Sequence, residues 1–408
     1  MNEPKLRFKA DDGSQFPDWE EKKVGDIFSK VKDKNKDGQN QNVITNSAEF
    51  GLINQRDFFD KDIAVDGKTE NYTIIKTGDF VYNPRKSKQA PYGPFNCYQL
   101  EEDGIVSPLY TCLRPKGNAD DKYLHWYFQS GSWYRFIYEN GAQNGARHDR
   151  VSMTDSLMQE IPVYLPQAIE EQQKVAEFLL TIDTVIEKQK ETVSAWEECK
   201  KGVMQKLFSQ EVRFKADDGS DFPDTELVSI GEHITFSGGS QPDKKYFIYE
   251  EREGYIRLVQ TQDYRTDKYK TYIPIEKARK TCTETDVMIG RYGPPVFQIK
   301  RGIAGAYNVA LIKATEKDSS ILDKEFMFYL LNRNDLFLAL DAVSRRSAGQ
   351  AGVDMELLKS FKFYLPSIPE QQKIVDCFSS LDEVIEKQKA TLAAWEELKK
   401  GLLQQMFV

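Results

Sequence analysis

The sequence predicts an α+β protein in which two α/β units alternate with two long helices in a pseudo-two-fold arrangement. A long stretch occurs twice, once from Val163 to Phe208 and once from Phe363 to Phe407. A shorter stretch, RFKADDGSxFPD, precedes each unit and begins at Arg7 and at Arg213. Two long copies favour two-fold symmetry over a solenoid, because a solenoid is built from more and shorter repeats.

Proline and acidic residues mark where each long helix begins. Strand-like VYLP stops at Pro166 and FYLP stops at Pro366, and Glu171 or Glu370 follows where the first helical turn is expected. Carboxylates at that position oppose the positive end of the helix dipole. The predicted domains are a first α/β unit with its N-terminal connector (1–165), a first helix (166–208), a connector with a second α/β unit (209–365) and a second helix (366–408).

The repeated helices carry a narrow apolar stripe. Val175, Leu179, Ile182 and Ile186 follow steps of three or four residues in the first copy, and the second copy keeps the same steps. Such a stripe is typical of a coiled-coil seam, and one helix cannot bury it alone. We therefore expect the two copies to bury each other.

Two lysines within the seams decide the direction of pairing. Parallel pairing in register would set Lys200 against Lys399, which places like charges in one layer. Antiparallel pairing places Lys200 near Leu381, where its ammonium group can reach water along its own stem. The sequence predicts an antiparallel coiled coil.

The α/β units differ more than their borders do, but they share a skeleton. GDFVYNPR from Gly78 aligns with TDVMIGRY from Thr285. Aromatic and β-branched residues with frequent glycine and proline favour strands over most of each unit. One helix is expected in each, near Tyr123–Tyr138 and Phe326–Val343.

Composition narrows the class of protein. The five cysteines and three histidines among 408 residues form no zinc pattern, so no metal site is expected. No apolar run approaches the ~20 residues of a membrane span, and the first residues lack a signal-peptide core. We therefore expect a cytoplasmic protein without membrane contact. The net charge of −8 argues against nucleic acid, but it sits on helices and connectors and leaves the α/β units nearly neutral.

Catalytic motifs are absent, so no catalytic residue is assigned and the chain is not expected to be an enzyme. No GxxxxGK[ST] loop occurs. Asn83–Pro84–Arg85 begins like the motif of amino-methyltransferases and departs at its third position. The sequence around Asp18 holds the pieces of a nuclease site, but they are too close together to hold metal ions.

Polar loop residues at matched places of the two units suit DNA contact. Arginine can bind guanine through two hydrogen bonds, glutamine or asparagine can bind adenine, and lysine holds phosphates. The predicted DNA-binding residues are Thr45, Asn46, Arg85, Lys86, Lys88, Arg147, His148 and Arg150 in the first unit, and Gln260, Gln262, Arg291, Tyr292, Arg345, Arg346 and Gln350 in the second.

The chain resembles the specificity subunit of type I restriction–modification systems. The resemblance rests on the paired LP…EQQK…VIEKQK…AWEE helices, the paired connectors and the two variable units between them, and it covers essentially the whole chain. It implies that the variable units are target recognition domains, each reading one half of a bipartite, asymmetric DNA site. It implies that the helices set the spacing and dock two adenine-methylating modification subunits, with restriction subunits of translocase and nuclease activity added to them.

The resemblance also assigns the cofactors and leaves two alternatives. S-adenosylmethionine, ATP and magnesium are expected on the partner subunits, and none on this chain. A fused DNA methyltransferase is one alternative, which the missing cofactor and Asn-Pro-Pro-aromatic motifs disfavour. A coiled-coil scaffold whose variable units bind protein is the other.

Overall fold

The computed structural model describes residues 3–58, 69–141, 149–293, 295–344 and 352–408. The chain forms two compact units. The first comprises Met1–Lys190 with Ala390–Val408, and the second comprises Glu191–Lys389. Each unit therefore combines the first part of one long helix with the last part of the other.

Short strands and helices alternate through the first half of the chain, and one long helix follows them. They are β1 (Trp19–Lys23), α1 (Val24–Ile27), β2 (Phe28–Lys30), β3 (Ile44–Ser47), β4 (Gly51–Asn54), α2 (Gln55–Phe58), β5 (Thr73–Ile75), β6 (Phe80–Tyr82), β7 (Phe95–Cys97), β8 (Gly104–Val106), β9 (Thr111–Pro115), α3 (Asp121–Ser130), α4 (Tyr134–Asn140), α5 (Asp155–Glu160), β10 (Pro162–Pro166) and α6 (Ile169–Phe208).

The sheets of the first unit pack against its helices. Antiparallel strands form a four-stranded sheet in the order β2-β9-β6-β7, and β1 pairs with β10 directly before the long helix. Phe80, Phe95 and Phe128 share one core with Trp133, and their rings meet mostly edge to face. This aromatic core lies under the end of β6, where the predicted basic loop begins.

The second half of the chain repeats this order. It contains β11 (Glu226–Ser229), α7 (Ile230–His233), β12 (Ile234–Gly238), β13 (Tyr255–Val259), β14 (Tyr272–Pro274), β15 (Thr281–Cys282), β16 (Val287–Gly290), β17 (Gln298–Lys300), β18 (Gly305–Tyr307), β19 (Leu311–Glu316), α8 (Lys324–Leu331), α9 (Asn334–Ser344), α10 (Met355–Ser360), β20 (Lys362–Leu365) and α11 (Ile368–Met406), with 3-10 turns at Lys244–Tyr246, Thr261–Tyr264, Asp267–Tyr269 and Ile275–Lys277.

The sheets of the second unit match those of the first. Its four-stranded sheet has the order β12-β19-β16-β17, and β11 pairs with β20 before the second long helix. A further sheet, β14-β13-β18-β15, contains a parallel pairing of β13 with β18. The duplication inferred from the borders therefore extends to strands whose sequences differ.

The single helix expected in the middle of each unit is wrong, because each is two helices. In the first unit α3 ends at Gly131, whose φ of 77° places it in the left-handed region that terminates helices. In the second, α8 ends at Asn332, whose N–H turns back to the carbonyls of the last turn, and α9 begins at Asn334. The apolar periodicity runs across both breaks, so it concealed them.

The long helices pair antiparallel within each unit, as predicted. In the second unit Lys389 contacts Glu197 at 2.9 Å, Lys200 pairs with Asp382, and the rings of Phe208 and Phe378 stack at 5.9 Å.

The first unit has the same direction of pairing. Lys399 pairs with Asp183, while Val175 and Leu179 share a core with Met406 and Phe407. The predicted neighbourhood of Lys200, next to Leu381, is confirmed by its ion pair with the following residue.

Candidate nucleic-acid interface

The loop after β6 in the first unit is fixed by hydrogen bonds to its backbone N–H groups. Asn83 is buried, and its Oδ1 accepts a hydrogen bond from the backbone N–H of Arg85 at 3.0 Å. The N–H of Lys86 donates to the carbonyl of Asp149 at 2.9 Å, which joins the loop to the segment before α5. The exposed side chain of Arg85 therefore extends from a well-held backbone.

A buried network of amides supports this loop. Asn46 is 3% exposed, and its Nδ2 donates to the carbonyl of Val81 at 2.7 Å while its Oδ1 accepts from Asn96 at 2.6 Å. The backbone carbonyl of Asn46 accepts from Nδ2 of Asn83 at 3.1 Å, and Gln129 donates to Asn96 at 2.7 Å. Asn46, predicted to meet a base edge, instead ties the loop to the sheet. Its partners lie 35 and 50 residues away, so its sequence neighbourhood could not reveal this role.

The segment before α5 lies alongside the loop after β6. The carbonyl of Pro84 accepts the N–H of Val151 at 2.9 Å, and Arg85 forms a β-bridge with Arg150. Two predicted DNA-binding arginines are thus brought onto neighbouring backbone segments. Arg150 is one-quarter exposed, and its only carboxylate neighbour in the described part of the chain is Asp149, at 3.9 Å.

The cations of this loop are available to a ligand. Arg85 and Lys88 are exposed, Lys86 is half-buried, and none of the three forms an ion pair with a carboxylate of the described residues. Burial raises the pKa of nearby Tyr110, whereas the positive charge of Arg85 acts in the opposite direction. Because positive charge without an internal partner attracts phosphates and base acceptors, this loop is suited to DNA.

The second unit repeats the arrangement with other side chains. The carbonyl of Arg291 accepts the N–H of Val353 at 3.1 Å, and Tyr292 forms a β-bridge with Gly352. The N–H of Arg291 donates to Ala310 at 2.9 Å. This register places Tyr292 at the position of Arg85, as the alignment predicts. Arg291 is exposed and has its guanidinium 5.1 Å from the ring centre of Tyr292.

A second predicted set lies where β13 ends in a 3-10 turn. The Nε2 of Gln260 donates to the Thr271 hydroxyl at 3.0 Å, so this side chain is partly engaged. Gln262 is exposed on the turn Thr261–Tyr264 and is the better placed of the two. Arg265, which sequence reasoning did not select, is exposed directly after the same turn. Its proximity to Gln262 in the sequence was the available signal.

The other predicted residues fall into two groups. Thr45 is half-buried on β3, and its hydroxyl lies 3.5 Å from Nε2 of Gln55. The remaining ones lie outside the described residues, namely Arg147, His148, Arg345, Arg346 and Gln350.

The described ranges contain neither a metal site nor a membrane-spanning helix. No group of three or more histidine, cysteine, aspartate or glutamate side chains there could hold a metal ion. No helix among those residues is long and apolar enough to span a membrane. All five cysteines are unpaired, and burial raises the pKa of Cys97 and Cys112 to about 12, so both thiols stay protonated near neutral pH.

Comparison with known proteins accounts for this architecture. The family described as the type I restriction modification DNA specificity domain matches the chain twice, over residues 17–194 and 224–394. Two relatives come from Methanocaldococcus jannaschii. The specificity subunit described for the type I restriction enzyme MjaX is 24% identical, and that of MjaVIII is 22% identical. Each match covers 97% of this chain and 94% of the relative.

Solved structures share the fold. One, from a study of complex assembly and conformational transition of a type I restriction–modification system, has a TM-score of 0.62 at 15% identity. It covers 96% of this chain and 98% of its own. The S subunit of a type I restriction–modification system from M. genitalium has a TM-score of 0.52 at 14% identity, over 100% of this chain and 99% of its own.

The duplicated units, each with a matched basic loop, define a protein that carries two DNA specificity domains in one chain. The two domain matches span most of its length. The chain belongs to the type I restriction–modification DNA specificity family, and it is the specificity subunit of such a system. The fused methyltransferase and the protein-binding scaffold are not favoured.

Proposed function

We propose that each unit reads one half of a bipartite, asymmetric DNA site. The observation that carries this proposal is that two unlike units present an exposed arginine on the same bridged backbone segment, at adjacent positions. The register that places Arg85 beside Arg150 places Tyr292 beside Gly352 and holds Arg291 one residue before the bridge. The same backbone with different side chains is what two readers of different sequences require.

Individual contacts follow from side-chain chemistry. Arg291 and Arg85 are proposed to read guanine, Gln262 to read adenine, and Lys86 and Lys88 to hold phosphates. Arg150, Thr45, Gln260 and Tyr292 belong to the same proposed interface, together with Arg147, His148, Arg345, Arg346 and Gln350. Asn46 is proposed to act through the loop that it supports.

The helices are proposed to fix the distance between half-sites and to dock the partners. Two modification subunits supply S-adenosylmethionine and adenine methylation, and restriction subunits supply ATP-driven translocation and magnesium-dependent cleavage. The specificity chain itself performs no chemical step. The complex is proposed to act in the cytoplasm.

Mapping methylated adenines tests the reading of DNA. The chain is assembled with its modification subunits, allowed to methylate unmodified genomic DNA, and the product is sequenced for methyladenine. We expect one motif of two defined parts separated by an unspecified spacer of fixed length. A continuous motif, or methylation unrelated to sequence, would contradict the proposal.

Two controls separate the alternatives. The isolated chain incubated with S-adenosylmethionine and DNA should transfer no methyl group, whereas a fused methyltransferase would. In the assembled complex both halves of the mapped motif should be protected in a footprint. A protein-binding scaffold would leave them open.

A further inference from the structure

A buried glutamate–glutamine pair lies at the start of each long helix. Glu171 and Gln172 begin α6, and Glu370 and Gln371 begin α11. All four are at most 1% exposed. Burying a carboxylate is costly unless it is paired and hydrogen-bonded, and burying an amide is costly unless it is hydrogen-bonded, so a buried pair of this kind at the start of each long helix indicates a specific task. We call each pair with its partners a junction clamp.

The glutamate of the first clamp holds the connector. Nε and Nη2 of Arg7 donate to the two carboxylate oxygens of Glu171 at 2.8 and 3.0 Å. Nε1 of Trp19 donates to the same carboxylate at 3.2 Å, and Nη2 of Arg7 also donates to the carbonyl of Phe16 at 3.1 Å. One buried carboxylate thus joins the helix to both ends of the connector.

The glutamine of the first clamp holds the recognition unit. Its Oε1 accepts the backbone N–H of Asp120 at 2.7 Å, and Asp120 in turn caps α3 through the N–H of Tyr123. Its Nε2 donates to the carbonyl of Pro166 at 2.7 Å, where β10 ends. Gln172 therefore fixes α3 and β10 to the first turn of α6.

The second clamp reproduces these contacts. Arg213 donates to the two carboxylate oxygens of Glu370 at 3.0 and 2.7 Å. Gln371 accepts the N–H of Asp323 at 2.8 Å and donates to the carbonyl of Pro366 at 2.8 Å. Thr225 stands where Trp19 stands in the first unit and bonds elsewhere, to Gln210. The second glutamate therefore has one donor fewer.

We propose that Glu171, Gln172, Glu370 and Gln371 are positioning residues that fix the angle between each recognition unit and its helix. In doing so they set the permitted length of DNA between the half-sites. This inference rests on the proposed reading of a bipartite site and deepens it. The clamps touch no DNA themselves and act through the elements that they join.

The length of the helix makes the angle decisive. The 40 residues of α6 span about 60 Å at 1.5 Å per residue. A rotation of about 3° at one end of such a lever moves the other end by roughly 3 Å, close to the 3.4 Å step between base pairs. A clamp that lets the angle vary by a few degrees would therefore accept spacers one base pair longer or shorter.

A spacer library tests the clamps. DNA targets keep both mapped half-sites and vary the spacer by up to two base pairs either way, and methylation by the assembled complex is measured on each. The variant Glu171→Gln leaves Arg7 and Trp19 with one acceptor oxygen instead of two. We expect the ratio of methylation at one base pair from the native spacer to that at the native spacer to rise about tenfold. That ratio corresponds to about 1.4 kcal/mol. The preferred base at each half-site should stay unchanged.

Matched variants sharpen the comparison. Glu370→Gln should widen tolerance less, because its carboxylate has fewer donors. Glu177→Gln and Asp376→Asn change exposed carboxylates one and a half turns further along the same helices and should leave the spacer profile as it is. Arg7→Lys keeps the charge but loses the two-bond geometry, and it serves if Glu171→Gln does not fold.

The possible outcomes are distinct. Methylation that falls equally at every spacer, or a spacer profile unchanged in both Glu171→Gln and Arg7→Lys, would overturn the role of the clamps. A wild-type complex that methylates regardless of half-site sequence would instead refute the reading of a bipartite site.

Discussion

The two units agree at their borders and differ in their interiors. At the borders Arg7 and Arg213 bind their glutamates with the same atoms. Gln172 and Gln371 each accept a hydrogen bond from the backbone N–H of an aspartate and donate one to the carbonyl of a proline. In the interiors one backbone register carries Arg85 in one unit and a tyrosine in the other. The contacts at the helix junctions are therefore duplicated, while the exposed side chains proposed to read DNA are individual to each unit.

The largest test of this comparison is to remove one unit. The fragment Met1–Phe208 should assemble as a symmetric dimer, because its seam lacks the end of α11 that buries it. In the first unit Phe407 packs on Tyr123 at 5.4 Å, and in the second Phe208 packs on Phe326 at 5.5 Å. Phe208 of a second copy can thus replace Phe407. With modification subunits, methylation should move to a palindrome of the first half-site.

Light scattering and methylation mapping check the dimer separately. A monomer at micromolar concentration would contradict the assembly. A dimer that methylates only the original asymmetric site would show that the units do not read independently. Phe208→Ala in the fragment should weaken the dimer, since the substitution removes the ring that replaces Phe407.

Single arginine variants test the reading residues one unit at a time. Arg291→Ala should relax discrimination at one base of the second half-site by about 1–3 kcal/mol and leave the first unaffected. Arg85→Ala should do the converse, and Arg147→Ala is likewise expected to affect the first half-site alone. Binding to a panel of single-base substitutions in each half-site gives the measurement. Equal weakening on every sequence would mark the residue as a phosphate contact.

The buried side chain of His125 should make the first unit lose more stability at low pH than the second. Burial, together with the charge of Lys399, lowers the pKa of His125 to about 4, and Phe328 stands at the matched position. Between about pH 6.5 and pH 4 the unfolded chain binds a proton at His125 and the folded chain does not, so the free energy of unfolding falls as the pH drops through this range. His125→Phe should remove roughly 2 kcal/mol of that loss.

Urea unfolding of the full chain at pH 4.5 and pH 7.5 provides the comparison. The reverse change, Phe328→His, should add a similar dependence to the second unit, where Arg301 lies 3.8 Å from the ring centre. An identical pH profile for wild type and His125→Phe would show that His125 titrates as it does in the unfolded chain.

The smallest expected difference concerns the seam lysines. Lys399 pairs with Asp183 and lies 4.9 Å from the ring of Trp126, and Lys200 pairs with Asp382 and lies 5.3 Å from that of Tyr329. Each substitution by methionine should cost about 0.5–1 kcal/mol, because these partly exposed pairs are screened by water.

The two lysines should not cost the same. Tyr329 also donates to Asp382 at 2.9 Å, so that carboxylate keeps a partner when Lys200 is lost. Tryptophan is also the stronger cation–π partner. Lys399→Met should therefore be the costlier change by a few tenths of a kcal/mol, as measured by urea unfolding, and the opposite order would show that the ring contacts are unimportant.

The repeated segments at the borders of the two units could be predicted from the sequence, because their apolar periodicity is local. The apolar stripe from Val175 and the two lysines within the seams sufficed to predict antiparallel helices, because the stripe is a local pattern and fixes the position of each lysine within its own seam. The break at Gly131 was missed, since one glycine interrupts the helix without interrupting its apolar pattern. The junction clamps were not predicted from the sequence, because Arg7 and Glu171 are 164 residues apart.

The interface was less predictable than the fold. Exposed cations such as Arg85 and Arg291 could be selected, because loop position and charge are local properties. Asn46 has the same chemistry as a base-reading residue, but it is buried and hydrogen-bonded to Val81 and Asn96, which are distant in the chain. Burial depends on which strands meet, so composition alone cannot separate an amide that reads DNA from one that holds a loop.

The division of the long helices between the units has a consequence for synthesis. The second unit is one continuous stretch, Glu191–Lys389, whereas the first requires Ala390–Val408 from the end of the chain. At about 5–20 residues per second, roughly 10–40 s pass between the making of Lys190 and of Ala390. The half that leaves the ribosome first is therefore completed last, and its apolar seam stays open to chaperones or to a second nascent chain during that interval.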